Sequence, residues 1–250
     1  MTPRQEILRH CDTLLQTAQF KDYAPNGLQV EGTETVGKIV TAVTASRAAI
    51  EHAAAHNAQM LLVHHGLFWK SEPLTVTGWK KQRIAKLLAH DINLAGYHLP
   101  LDAHPELGNN AQLAQRLGWT LEAQFGEQNL LNAGALPDSQ STLPALAAAL
   151  EQVLGRAPTV VGCPNATRRR IVWCTGGAQG FFQAAIDAGA DVYLTGEISE
   201  AQYHLANETG VAFVSAGHHA TERYGIQALG AALAAHFGVE CVFFDENNPA

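Results

Sequence analysis

Lys38-Ile-Val-Thr-Ala-Val-Thr44 is followed, after a turn of small residues, by Arg47–His56 and then by Met60-Leu-Leu-Val63. The outer two runs are short and apolar, as strands are, and the middle one carries its apolar residues at helical spacing. Strand, helix and strand of this length form a parallel crossover unit, which is right-handed almost without exception. The pattern occurs twice. Moving the sequence 132 positions along itself brings Ile39-Val40 onto Ile171-Val172, Ala53 onto Ala185, Ala58 onto Ala190 and Leu62 onto Leu194. The second copy reads Arg170–Thr175, Gln179–Ala188 and Asp191–Thr195. Identity between the copies is low, so the shared order of elements is what relates them.

Each copy continues into a helix, near Lys80–His90 and near Glu200–Glu208, and then a third strand, Ile92–Tyr97 and Val211–Ala216. Both third strands end in histidine with a carboxylate four residues on. The first ending is His98-Leu-Pro-Leu-Asp102; the second, after Gly217, is His218-His-Ala-Thr-Glu222. This match needs an offset of 120, so the first copy holds an extra loop, placed at Leu67–Gly78. The second strand of the first copy ends in His64-His65, where the other copy has Gly196-Glu197. A further helix follows each carboxylate, at about Asn109–Leu117 and Glu222–Phe237. The expected fold class is α/β, with two similar α/β lobes from the internal repeat: residues 1-121 with an N-terminal helix, a connector 122-167, and 168-250. Open parallel sheets bind ligands beyond the carboxyl ends of their strands. The histidine endings are therefore expected to face a metal site in the cleft between the lobes.

Imidazole and carboxylate at strand ends suit divalent ions. Adjacent side chains on a strand point to opposite sides. His64-His65 are therefore either polar residues at a strand–loop boundary or, where the backbone turns, ligands of two neighbouring ions. His218 and Glu222 share one side of a helical turn. Glu222 can bridge two ions, or it can stabilise a helix N-terminus by its charge alone. Asp102 has the same alternatives, with Pro100 predicting an extended loop rather than a helical turn at Leu99. His98 and Glu197 are each candidates for ligand, orienting partner or proton carrier. No metal role is read from Asp22-Tyr-Ala-Pro-Asn-Gly-Leu-Gln29, where Pro25-Asn26-Gly27 marks a turn. Mixed imidazole and carboxylate donors suit zinc, iron, manganese or nickel without choosing among them.

A net charge of −7 and a pI near 5.9 argue against nucleic acid as the main partner. The run Arg168-Arg169-Arg170 is too short to change that, although it, or Lys70, Lys80 and Lys81, can attract phosphate locally. Cys11, Cys163, Cys174 and Cys241 are scattered, as reduced thiols of a cytoplasmic protein are. Arg4–Ala18 reads as an amphipathic helix rather than a signal segment, and no apolar run is long enough to span a membrane.

Taken together, these motifs resemble those of the GTP cyclohydrolase 1 type 2 homologues, dinuclear metal proteins, in their YbgI-like branch. The likeness runs nearly end to end. It rests on Asn26-Gly27-Leu28-Gln29, Val63-His64-His65-Gly66, His98-Leu-Pro-Leu-Asp102, Thr195-Gly196-Glu197 and Gly217-His218-His-Ala-Thr-Glu222. The resemblance implies two divalent metal ions per subunit, with ligands at His64, His65, Asp102, His218 and Glu222 and with His98 beside them. It implies a ring-shaped homohexamer with metal sites facing an interior cavity, in the short form that lacks an inserted domain. The implied activity is hydrolytic opening of a small-molecule substrate, a nucleotide such as GTP or another cyclic amide or amidine. Water activated at the metals would attack, with His98 or Glu197 passing the proton. The alternative is a non-catalytic metal-binding ring, a scaffold or metal store whose partners are other proteins.

Overall fold

The computed structural model describes residues 1–250. The chain divides into two compact units, residues 1–107 with 225–247 and residues 108–224 with 248–250. In chain order the first stretch holds β1 (Thr2–Pro3), α1 (Arg4–Leu15), β2 (Gly27–Val30), β3 (Thr35–Val36), β4 (Lys38–Thr44) and α2 (Arg47–Ala55). There follow β5 (Met60–His65), α3 (Gly78–Ala89), β6 (Asn93–Gly96) and the short α4 (Leu99–Ala103). The second unit holds α5 (Asn109–Leu117), β7 (Thr120–Phe125), β8 (Leu131–Ala135), α6 (Leu143–Leu154), β9 (Thr159–Val161) and β10 (Arg170–Trp173). It continues with α7 (Phe182–Asp187), β11 (Val192–Thr195), α8 (Glu200–Thr209), β12 (Ala212–Ser215) and the single turn α9 (His218–Thr221). The chain closes with α10 (Arg223–Phe237) and β13 (Glu240–Phe243).

In the first unit the strands lie in the order β13-β4-β5-β6-β2. Ile39 to Val43 are buried without a break, as a parallel strand covered on both faces requires. Alternation then sorts the side chains. Ile39, Met60 and Leu62 pack with Ile7 and Leu8 of α1 and with Ile226, Leu229 and Leu233 of α10. Val40, Ala42, Leu61 and Val63 face the other way, onto Ala49, Ile50 and Ala53 of α2 and Leu87 of α3. Each fully buried aliphatic side chain of this kind contributes about 1.5–3 kcal/mol. The turn into α2 is set by Ser46, whose hydroxyl accepts the Ala49 N–H at 3.0 Å.

The second unit has the order β7-β8-β10-β11-β12-β9. Ile171, Trp173, Val192, Leu194, Ala212 and Val214 pack on Leu113 and Leu117 of α5 and Leu146 and Leu150 of α6. On the opposite face Phe182 of α7 meets Phe213 edge-on at 4.9 Å and stacks on Tyr193 at 5.8 Å.

The repeat holds where it was read. β4-β5-β6 and β10-β11-β12 are both parallel triplets, and each third strand carries an antiparallel neighbour, β2 on β6 and β9 on β12. The division of the chain differs from the expected lobes. Residues 122–167 are no connector: they supply most of β7 together with β8, α6 and β9. Helix α10 and strand β13, expected in the second lobe, belong to the first unit. β13 pairs in parallel with β4 from Glu240↔Lys38 to Phe243↔Thr41, and α10 buries its apolar side against α1. The physical reason is tertiary: the free edge of β4 takes one more parallel strand, and α1 offers α10 an apolar side.

Candidate metal centre

In the first unit β5 delivers His64 and His65, and β6 runs on to Tyr97 and His98. His64 is 1% exposed, and its Nδ1 lies 2.9 Å from the Tyr97 carbonyl. A carbonyl only accepts, so Nδ1 carries the proton and Nε2 is the basic nitrogen. That Nε2 lies 3.5 Å from Asp102 Oδ1. His65 Nδ1 is 3.4 Å from the Thr44 hydroxyl. His64, His65 and His98 each bring a ring nitrogen within 4.8 Å of the other two. Asp102 is buried in α4, which forms in spite of Pro100. The expected extended loop is therefore corrected. Proline stands in the first turn, where its missing N–H would have had no intrahelical partner anyway.

His98 is held from a segment given no metal role in the sequence. Its Nδ1 lies 2.7 Å from Asp22 Oδ1, while Asp22 Oδ2 accepts the Leu99 N–H at 2.9 Å and Asn26 Nδ2 at 3.0 Å. Asn26 Oδ1 in turn accepts the His98 N–H at 2.8 Å. Burial pushes the Asp22 carboxyl up, but the hydrogen bond and charge of His98, with Asn26 and the Leu99 N–H, bring it down to about 2. Gln29 Oε1 accepts the Leu67 N–H at 2.9 Å, and a side chain at Gly66 would overlap the Gln29 amide. Residues 22–29 thus clamp the loops after both β5 and β6. Only the carboxylate and amide flanking the Pro25 turn hinted at this. Their target lies 76 and 72 residues away.

In the second unit Gly217 (φ +100°) turns the chain out of β12 into α9. That one turn brings His218 Nε2 to 3.2 Å from Glu222 Oε2, the pairing that the four-residue spacing predicts. His218 Nδ1 lies 2.6 Å from Glu197 Oε1, and Gln179 donates to Glu197 Oε2 at 3.0 Å. Burial lowers the His218 pKa, but Glu222 and Glu197 outweigh it and raise it to about 9. Glu222 is buried; the Glu197 side chain is 45% exposed. Gly176 (φ +72°) lets its loop lie against this pair. A side chain there would overlap Glu222 Oε1 and stand 3.3 Å from His218 Nε2. The Thr221 hydroxyl accepts the Gly176 N–H at 3.0 Å and donates to the His218 carbonyl at 3.0 Å.

Three of the basic residues considered for phosphate are occupied as braces. Lys80 is buried, donating to the Pro73 carbonyl at 2.9 Å beside Glu72 at 3.2 Å. Arg168 is buried on the carbonyls of Asp191 and Gly210, and Lys70 donates to the carbonyl of Asp22. The first unit therefore gathers three imidazoles and a carboxylate, and the second an imidazole between two carboxylates. The donor types and the carbonyl-fixed tautomer of His64 fit divalent ions of zinc, iron, manganese or nickel.

A model of the Duf34/NIF3 (NGG1p interacting factor 3) family matches residues 2–249. The chain is 68% identical over 250 residues to a GTP cyclohydrolase 1 type 2 homolog of Neisseria meningitidis serogroup A, covering 100% of both chains. To the protein of the same description from Yersinia pestis it is 53% identical over 244 residues, covering 94% of this chain and 95% of the other. A solved structure described as protein ybgI, of unknown function, superposes with a TM-score of 0.93 at 46% identity, over 100% of both chains. A Thermus thermophilus protein superposes with a TM-score of 0.89 at 34% identity, again over 100% of each. No helix is long and apolar enough to cross a membrane.

Proposed function

The chain belongs to the Duf34/NIF3 family, and from that premise we propose that it is a metal-dependent hydrolase whose two divalent ions are held by His64, His65, Asp102, His218 and Glu222. One observation carries the reading: two residues of that set have the Nδ1 side fixed by an acceptor, His218 by the Glu197 carboxylate and His64 by the Tyr97 carbonyl. Metal-site imidazoles are usually held in this way, through the nitrogen that does not face the ion.

Bound ions would supply Lewis acidity and a water of lowered pKa. The chain's own residues do the rest. Asp22 orients His98 and holds the proton at its Nδ1, leaving Nε2 as the nitrogen able to exchange a proton with substrate. Glu197 is better suited to orienting His218 than to carrying protons, because it already accepts from both His218 and Gln179. Buried Asp102 and Glu222 give the site its negative charge. The substrate proposed is a nucleotide or another small cyclic amide or amidine, and the assembly proposed is a ring-shaped homohexamer.

The test is a turnover screen of nucleotides and small cyclic amides with metal-loaded and metal-stripped protein. Metal-dependent ring opening, abolished in Glu222→Gln with native mass unchanged, is the expected result. Bound metal without turnover of any compound, with Glu222→Gln breaking the assembly instead, would replace the hydrolase by a metal-binding scaffold with protein partners.

A further inference from the structure

A cleft of about 180 Å³ on the first unit is lined by Arg47, Ile50, Glu51, Gln82, Arg83 and Lys86, from helices α2 and α3. Its charge runs against that of the whole chain: three cations and one carboxylate, in a protein of net charge −7. The carboxylate is already shared. Glu51 Oε1 accepts from Arg47 Nε at 3.1 Å and from Lys86 Nζ at 2.7 Å. Arg83 is in a different position. Its guanidinium carbon lies 4.8 Å from the centre of the Trp79 ring, half-buried, and it makes no hydrogen bond or ion pair with the protein. Glu246 and Glu72 act on it only through space. A guanidinium presents its N–H donors in a planar fork that matches phosphate or carboxylate oxygens, and stacking on an aromatic ring holds that fork in place.

We propose that this cleft is a binding site for a phosphate group, free or carried on a small molecule. Arg83 grips the anion, Arg47 and Lys86 complete the charge, Gln82 donates from the rim and Ile50 forms the apolar floor. Phosphate fits better than a single carboxylate because it offers more oxygens to the three cations that line the cleft. The site is independent of the metal centre, since none of its residues belongs to the ligand sets.

Calorimetric titration of the full-length protein with inorganic phosphate and with a nucleoside monophosphate tests the site. Saturable binding is expected, weakened at least tenfold in Arg83→Gln and in Lys86→Gln and retained in His64→Ala. Tighter binding of the nucleotide would assign the cleft to a phosphate ester, and equal affinity to the free ion. If Arg83→Gln melts early, Lys86→Gln and Arg47→Gln decide alone. No saturable heat with either probe, or binding lost in His64→Ala and kept in the cleft variants, would overturn the proposal.

Discussion

The Asp22–His98 pair of the first unit and the Glu197–His218 pair of the second do the same job from different foundations. In both, a carboxylate takes the Nδ1 side of a histidine that ends the third strand of a parallel triplet. In the second unit the carboxylate stands at the end of the adjacent strand, inside the repeat. In the first, that place belongs to His64-His65, and the orienting carboxylate comes from an N-terminal turn. The trade adds imidazoles to the first unit and requires a clamp from outside the repeat. The clamp is also better shielded: the Asp22 side chain is 4% exposed and that of Glu197 45%. Solvent screening weakens an exposed partner more than a buried one.

The largest effects are expected at the ligands. His64→Ala and His218→Ala should each weaken metal binding by more than 100-fold, beyond the roughly 10–100-fold that outer partners produce, as measured by chelator competition. Loss in one variant alone would remove the other residue from the proposed ligands. Next come the orienting carboxylates. Glu197→Gln, which loosens a proposed ligand, should fall within that ~10–100-fold range, whereas Asp22→Asn, whose histidine stands outside the ligand set, should lower turnover more than metal affinity. A larger loss of metal in Asp22→Asn than in Glu197→Gln would put His98 among the ligands.

Glycine gives a smaller contrast. Gly176→Ala places a side chain on Glu222 at positive φ and should cost about 1–3 kcal/mol in denaturant melts. Gly66→Ala, which meets a glutamine side chain on ordinary backbone, should cost less.

A contrast of another kind is in pH. His218 titrates at about 9 in the folded metal-free protein, above its ordinary 6.5. Its contribution to stability is therefore complete below 6.5 and is lost as pH rises through about 9. Asp22, at about 2 against 3.8, behaves oppositely, contributing fully above 3.8 and losing that as pH falls through about 2. Melting temperatures of metal-free protein should decline between pH 6.5 and 9, and Glu197→Gln should flatten the decline. An unchanged slope would mean that the Glu197 pair does not hold the proton.

The same contrast explains what was legible in the sequence. The parallel triplets show in runs such as Lys38–Thr44 because strands buried on both faces are apolar throughout, and His218 and Glu222 show because one helical turn joins them. Asp22 did not show, since its partner is fixed by tertiary folding and its own surroundings read as a turn. Likewise β13 and α10 carry patterns that suit either sheet; only the edge of β4 and the apolar side of α1 decide where they go. Pro100 misled because the rule for the residue before proline says nothing of a helix that begins there.

Metal analysis of the wild type, His64→Ala and His218→Ala, all purified without chelator, tests the central claim most directly. Two ions per chain are expected in the wild type and fewer than one in either variant. Wild-type content far below one ion per chain, with no change on substituting His64, would contradict it.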